Sequence, residues 1–241
     1  MIKLNMHSQP TDETCGPTSL CSVYEYYNDK IPLKTVIEEV ERSMSGGTLA
    51  PMLGSHALGR GYEALIYINN LKVFDPTWFT EGKANSVLVY QKLEAQIQLS
   101  QDAAVLQESK AYLNYLSLGG QVYFKSLDTS VLRHYFEKKL PIITGLNATY
   151  LYRCSRERFT PEGVSIFDDV NGQPCGHFVV LCGYDEKKKL IVVADPHREN
   201  PLSHDNYYKV SSHRLINAIM LGVTSYDANL LIIHPKETDA F

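Results

Sequence analysis

The order of elements along the chain predicts an α+β fold, with helices gathered in the first half and antiparallel strands in the last third. Three observations carry this. Apolar residues recur at helical spacing in several stretches before residue 140. Two apolar runs of strand length near the C-terminus flank a short charged turn. No internal repeat, low-complexity tract or linker divides the 241 residues, so one domain over 1–241 is expected, with a helical lobe mainly over 1–140 and a β-rich lobe mainly over 141–241.

Residues 15 to 27 read as an amphipathic helix, with Leu20, Val23, Tyr24 and Tyr27 on one face. Thr14 is the expected N-cap, and Pro17 falls in the first turn, where its missing N–H is not needed. A second helix is expected over 33 to 43 and a short one around 52 to 59. Ala64–Ile68 and Leu71–Phe74 read as paired strands split by a tight turn at Asn69-Asn70. Residues 85 to 117 and 128 to 139 are helical in pattern, and Pro141–Gly145 is a buried-looking strand. Residues 152 to 174 lack apolar periodicity and read as a long surface loop, a length often associated with function. Phe178–Tyr184 and Leu190–Ala194 form the expected hairpin around Asp185-Glu186-Lys187-Lys188-Lys189; a helix near 211 to 221 and a strand over Leu230–Ile233 follow.

Composition narrows the function classes. The net charge of −4 supplies no basic field for nucleic acid or an anionic membrane. No apolar run approaches the ~20 residues of a membrane span, and the N-terminal Met1–His7 stretch lacks a signal-peptide pattern. A cytoplasmic location is therefore expected. The five cysteines (Cys15, Cys21, Cys154, Cys175, Cys182) agree with it, since an odd, irregularly spaced set makes a poor disulfide framework.

Two segments carry chemistry. In the first, Gln9 to Leu20, Cys15 stands at a helix start, where the positive end of the helix dipole favours a thiolate. Gly16 beside it lets a substrate carbonyl approach. The Cys15 N–H, unused in the first helical turn, and the Gln9 side-chain amide are candidate oxyanion donors. Against this stands the plain reading of a small buried cysteine that opens a core helix. In the second segment, His177 follows Gly176 at the start of an apolar strand, and Asp195 stands eighteen residues later at the end of the returning strand. A carboxylate beside a histidine fixes its tautomer and stabilises the imidazolium.

The series Gln9, Cys15-Gly16 at a helix start, Gly176-His177 on a strand and Asp195-Pro196 after a hairpin resembles the papain superfamily of cysteine peptidases. It is closest to the branch of bacteriocin-leader-processing peptidases and their stand-alone relatives. The resemblance implies a papain-like α+β fold, in which a helical half delivers the cysteine and an antiparallel sheet delivers the histidine and aspartate. It implies Cys15 as nucleophile, His177 as base, Asp195 as orienting group and Gln9 in the oxyanion hole, with no cofactor. The substrate would be a peptide or peptide-like amide, and small proteins of this branch that accompany amide-bond-forming ligases suggest a ligase product as one source. Phytochelatin synthases share the Gly-His to Asp stretch, so acyl or γ-glutamyl transfer through the same thioester is an alternative, and an inactive binding module is another. Residues 45 to 135 match the superfamily only loosely.

Other residues compete for these roles. Ser55-His56 to Asp75-Pro76 echoes the spacing of the pair, but His56 has no apolar strand behind it and Asp75 reads as a turn former. His197, His204 and Asp205 are too irregularly spaced for zinc, so no metal is expected. Tyr150, with Arg153, Arg156 and Arg158, is a candidate cleft wall whose basic groups would receive a substrate carboxylate, against the plainer reading of a solvated loop.

Overall fold

The computed structural model describes residues 1–160, 165–225 and 228–236. Helix α1 spans Cys15–Tyr26, α2 Leu33–Glu39 and α3 Ala50–Gly59. Helix α2 ends four residues short of expectation because Val40 turns extended and is buried. Strand β1 (Tyr62–Ile68) follows, then the short strands β2 (Phe79–Thr80) and β3 (Lys83–Ala84). The helical stretch after residue 85 is two helices, α4 (Ser86–Leu99) and α5 (Ala103–Ser117). They precede β4 (Gln121–Tyr123), α6 (Thr129–Glu137), β5 (Ile142–Asn147) and the short α7 (Ala148–Tyr152). The segment read as a surface loop contains a small hairpin, β6 (Glu157–Phe159) with β7 (Ser165–Phe167); its residues 161–164 lie outside the described residues. The chain ends with β8 (Gly176–Asp185), β9 (Leu190–Ala194), β10 (Tyr207–Ser211), α8 (Ser212–Leu221) and β11 (Asn229–Pro235).

Side chains at the helix starts explain most of the boundaries. The Asn85, Asp102, Asp128, Asn147 and Ser211 side chains each accept a backbone N–H from the first turn of α4, α5, α6, α7 and α8, filling donors a helix leaves unpaired. Thr14 holds the expected N-cap position of α1, but its side chain makes no capping bond. Its hydroxyl donates to the Thr11 carbonyl at 2.7 Å and accepts from the Thr11 N–H, which locks the turn before α1.

The expected hairpin at Asn69-Asn70 does not form. Asn70 is buried, its side-chain oxygen accepts from the Lys72 N–H at 2.9 Å, and its carbonyl accepts from the Phe74 N–H at 3.1 Å, so the chain folds into a compact turn. Val73 and Phe74 are apolar because they fill the core there, with Phe74 edge-on against Tyr112. Strand β1 instead pairs antiparallel with β11 and parallel with β4.

Among the described residues, β1–β5 and β8–β11 form one nine-stranded sheet in the order β10-β9-β8-β5-β11-β1-β4-β3-β2, antiparallel except at β1/β4. Strands from both halves of the chain therefore share it. Its two faces follow the period-two alternation of side chains. Phe178, Val180 and Cys182 of β8, with Leu231 and Ile233 of β11, face one core together with Leu20, Val23 and Tyr24 of α1 and Leu53 of α3. Val179 and Leu181, with Leu230 and Ile232, face the other, against Leu132 of α6 and Leu215, Ala218 and Ile219 of α8. Each fully buried Leu, Ile or Val contributes about 1.5–3 kcal/mol. The N-terminal residues join the first core: Ile2, Leu4 and Met6 are buried in alternation, and the Ile2 N–H donates to the Cys182 carbonyl at 2.8 Å. No described helix is long and apolar enough to cross a membrane.

Candidate active site

Cys15 is the first residue of α1 and is buried. The helix is held against β8 by packing and by the Ser19 hydroxyl, which donates to the Phe178 carbonyl. This sets the thiol beside His177, the second residue of β8, whose imidazole acts on its ionisation. The β8/β9 hairpin pairs Val180 with Ala194, so Asp195 emerges next to His177, as the sequence predicts. The His177 Nε2 lies 2.8 Å from Asp195 Oδ1, and the other ring nitrogen is left for the thiol.

Asp195 is fully buried, and its carboxylate accepts four hydrogen bonds. Oδ1 takes His177 Nε2 and the His197 N–H, both at 2.8 Å; Oδ2 takes the hydroxyls of Tyr152 and Tyr208, both at 2.7 Å. The Asn206 side-chain amide donates to the Asp195 carbonyl, and the Asp195 N–H donates to the Asn206 carbonyl, each at 2.7 Å. Burial opposes the Asp195 charge, but His177 and the two tyrosines outweigh it and keep the carboxyl below its ordinary range. Burial also disfavours the imidazolium, yet Asp195 and then Cys15 raise His177 to about 10. For Cys15, burial alone would raise the thiol. The hydrogen bond and charge of His177, with the amides of Phe178 and Gly16, reverse this and leave it below its ordinary value. The two shifts favour the thiolate–imidazolium pair.

Gln9 lies on the wall of the adjacent cleft, its N–H bonded to the Pro196 carbonyl at 2.9 Å. Its Nε2 donates to the Thr11 carbonyl at 3.1 Å, which uses one of two amide protons. The cleft has a volume of about 670 Å³, and Gly176, His177, Tyr152 and the β6–β7 hairpin residues Glu157, Ile166 and Phe167 line it.

Gly16 has a packing role beside its place next to Cys15, and Tyr150 lies away from the cleft. A Cβ on Gly16 would stand 2.2 Å from Thr48 Oγ1, so glycine there is a demand of packing between α1 and the segment before α3. Tyr150 lies outside the cleft, in a separate hollow of about 400 Å³ that it shares with Arg153 and Arg156. The short helix α7 sends Tyr152 to the cleft and Tyr150 to this hollow. Arg156 is spent on the Asp169 and Val170 carbonyls and Arg158 on Asp168, and none of Arg153, Arg156 and Arg158 lines the cleft.

The competing pair stays apart. His56 is held between the Tyr24 hydroxyl at 2.8 Å and Glu39 at 3.1 Å, while Asp75 accepts from the Thr77 N–H and hydroxyl as a turn former. The Cys21 thiol faces the Ile31 carbonyl, and burial pushes it up to about 11. Tyr208 and Asn206 were invisible as site residues, although the alternation of Tyr208 and Val210 marks the inward face of an edge strand.

The profile of the Peptidase_C39-like family matches residues 1–214 of the chain. Among solved structures, a double glycine motif protease from an AMS/PCAT transporter, in complex with its leader peptide, is 16% identical with a TM-score of 0.45, over 98% of this chain and 94% of that one. The peptidase domain of Streptococcus ComA, a bi-functional ABC transporter involved in quorum sensing, is 14% identical with a TM-score of 0.45, over 98% of this chain and 100% of that one. No curated protein matches this chain.

Proposed function

The chain belongs to the Peptidase_C39-like family of cysteine peptidases, and from that premise we propose that it cleaves a peptide or isopeptide-type amide through a Cys15–His177–Asp195 triad. The observation that carries the reading is the 2.8 Å contact of His177 Nε2 with a buried Asp195 whose carboxylate accepts four hydrogen bonds, on the imidazole whose charge lowers the Cys15 thiol.

The Cys15 thiolate attacks the amide carbonyl carbon, a C–S bond forms, and the carbonyl oxygen takes the negative charge. The Cys15 N–H and the second Gln9 Nε2 proton supply the oxyanion donors. The His177 imidazolium gives its proton to the departing nitrogen, the C–N bond breaks, and a thioester remains. His177 then takes a proton from water; the resulting hydroxide attacks the thioester, the acid leaves and the thiolate is restored. Asp195 holds the imidazole in the tautomer this sequence needs. Five cysteines present as thiols suit a cytoplasmic setting.

The test is a screen of peptides and isopeptide-linked amides, with mass spectrometry of the quenched enzyme. The reading expects an acyl adduct confined to Cys15, lost in Cys15→Ala and His177→Ala. Added amines distinguish hydrolysis from acyl transfer by the product formed. Turnover that survives Cys15→Ala would overturn the proposal.

A further inference from the structure

The cleft beside His177 is uneven in charge. Its wall carries Asp12, Glu157 and Glu199, and no Lys or Arg among the described residues. Arg153 and Arg156 line the other hollow, Arg158 is consumed by Asp168, and Arg198 precedes Glu199 in the chain without lining the cleft. None of the three cleft carboxylates makes an ion pair with a described Lys or Arg. Glu157 is fixed in place by the Ser165 hydroxyl, which donates to it at 2.6 Å across the β6–β7 hairpin. Gln9, on the same wall, has a buried Oε1 with no hydrogen-bond partner among the described residues. The field is already felt within the cleft. The Cys154 thiol on its wall is raised first by burial and then by the Glu157 charge.

Resting on the peptidase reading above, we propose that the substrate carries positive charge close to the scissile amide, and that Asp12, Glu157 and Glu199 select it. A lysine side chain, a free amino terminus or an amine-bearing acyl group meets this description; a γ-glutamyl or other carboxylate-bearing group does not. Three carboxylates against the one cation of the His177 imidazolium leave the wall with an excess of negative charge; such an excess concentrates positive charge and raises association rates by about 10–10³-fold, and salt removes the gain.

The thiol can report this field without any substrate. Cys15 of the full chain is modified with methanethiosulfonate reagents of similar size, one bearing trimethylammonium and one sulfonate, and its rate is followed by mass spectrometry. N-acetylcysteine amide sets the intrinsic ratio. The proposal expects Cys15 to favour the cationic reagent at least ~10-fold beyond that ratio. It expects the preference to shrink in 0.5 M salt, and to fall at least ~5-fold in the Asp12→Asn/Glu199→Gln double variant. In parallel, amide substrates differing only by lysine, norleucine or glutamate beside the cleaved bond should rank in that order of kcat/KM. A reagent ratio equal to the reference, or one that the double variant leaves unmoved, overturns the inference while leaving the peptidase reading intact. Failure of Cys15 to react even with the neutral methyl reagent overturns the peptidase reading itself.

Discussion

Replacing Tyr208 with phenylalanine takes one of two hydroxyl donors from Asp195 Oδ2 and changes little else in shape. The lost bond is a 2.7 Å contact with a fully buried carboxylate. Hydrogen bonds to charged groups are worth about 1.5–3 kcal/mol, so stability should fall by about that amount. The effect on His177 has a definite sign. Asp195 keeps three donors (Tyr152, the His197 N–H and His177), and with less of its charge neutralised by hydroxyls it attracts the imidazolium more strongly. One pKa unit corresponds to about 1.4 kcal/mol, so passing a third to a half of the lost bond to His177 raises its titration midpoint by roughly 0.5–1 unit. Imidazole ¹⁵N NMR of the wild type, Tyr208→Phe, Tyr152→Phe and the double variant, from pH 6 to 12, measures this directly. Both single variants should shift upward, and the double variant non-additively, because the two hydroxyls share one oxygen. A stability loss with an unmoved or lowered His177 midpoint would show that the tyrosines only pack against the site, and would refute the reasoning.

Other outcomes follow from the same structure. Glu108 is buried with Asn70 as its hydrogen-bond donor, and burial raises its carboxyl to about 8 from an ordinary 4.5. The folded chain thus holds a proton that the unfolded chain releases, and stability falls as pH rises from 4.5 through 8. Glu108→Gln should flatten that decline, gaining about 1–3 kcal/mol at pH 9 and little at pH 4.5 in urea titrations; an unchanged slope would contradict it. Gly16→Ala forces a Cβ against Thr48 Oγ1 and should cost about 1–3 kcal/mol, with Thr48→Ala restoring part of the loss because it removes the clashing hydroxyl. Gln9→Ala should lower kcat by ~10²–10³ with an unchanged thermal unfolding curve; an equal loss of stability would assign Gln9 to the fold instead.

The parts of the site that depend on local chemistry were legible in the sequence. A cysteine opening a helix, and a histidine and aspartate at facing ends of one hairpin, are placed by the backbone alone, and the contact of His177 with Asp195 follows from the β8/β9 register. What depended on side-chain direction was not. The arginines weighed as a cleft wall are not on it: Arg153 and Arg156 line the other hollow, and Arg156 and Arg158 bond to partners away from the cleft. The second donor on Asp195 came from Tyr208, thirteen residues on and in an edge strand too short to stand out. The apolar run Leu71–Phe74 looked like a strand because periodicity over four residues cannot separate a strand from a buried turn. Buried Asn70, whose side chain closes that turn, decides the matter through contacts with the distant Glu108.

The central claim is that His177 lowers the ionisation midpoint of Cys15 below that of an ordinary thiol. Thiolate absorbance near 240 nm, titrated as the difference between the wild type and Cys15→Ala and again in a His177→Ala background, reads that ionisation alone. The account predicts a midpoint below the ordinary thiol range in the wild type, and one above it once the imidazole is gone and only burial acts. A Cys15 that titrates at or above the ordinary value in both backgrounds would contradict it.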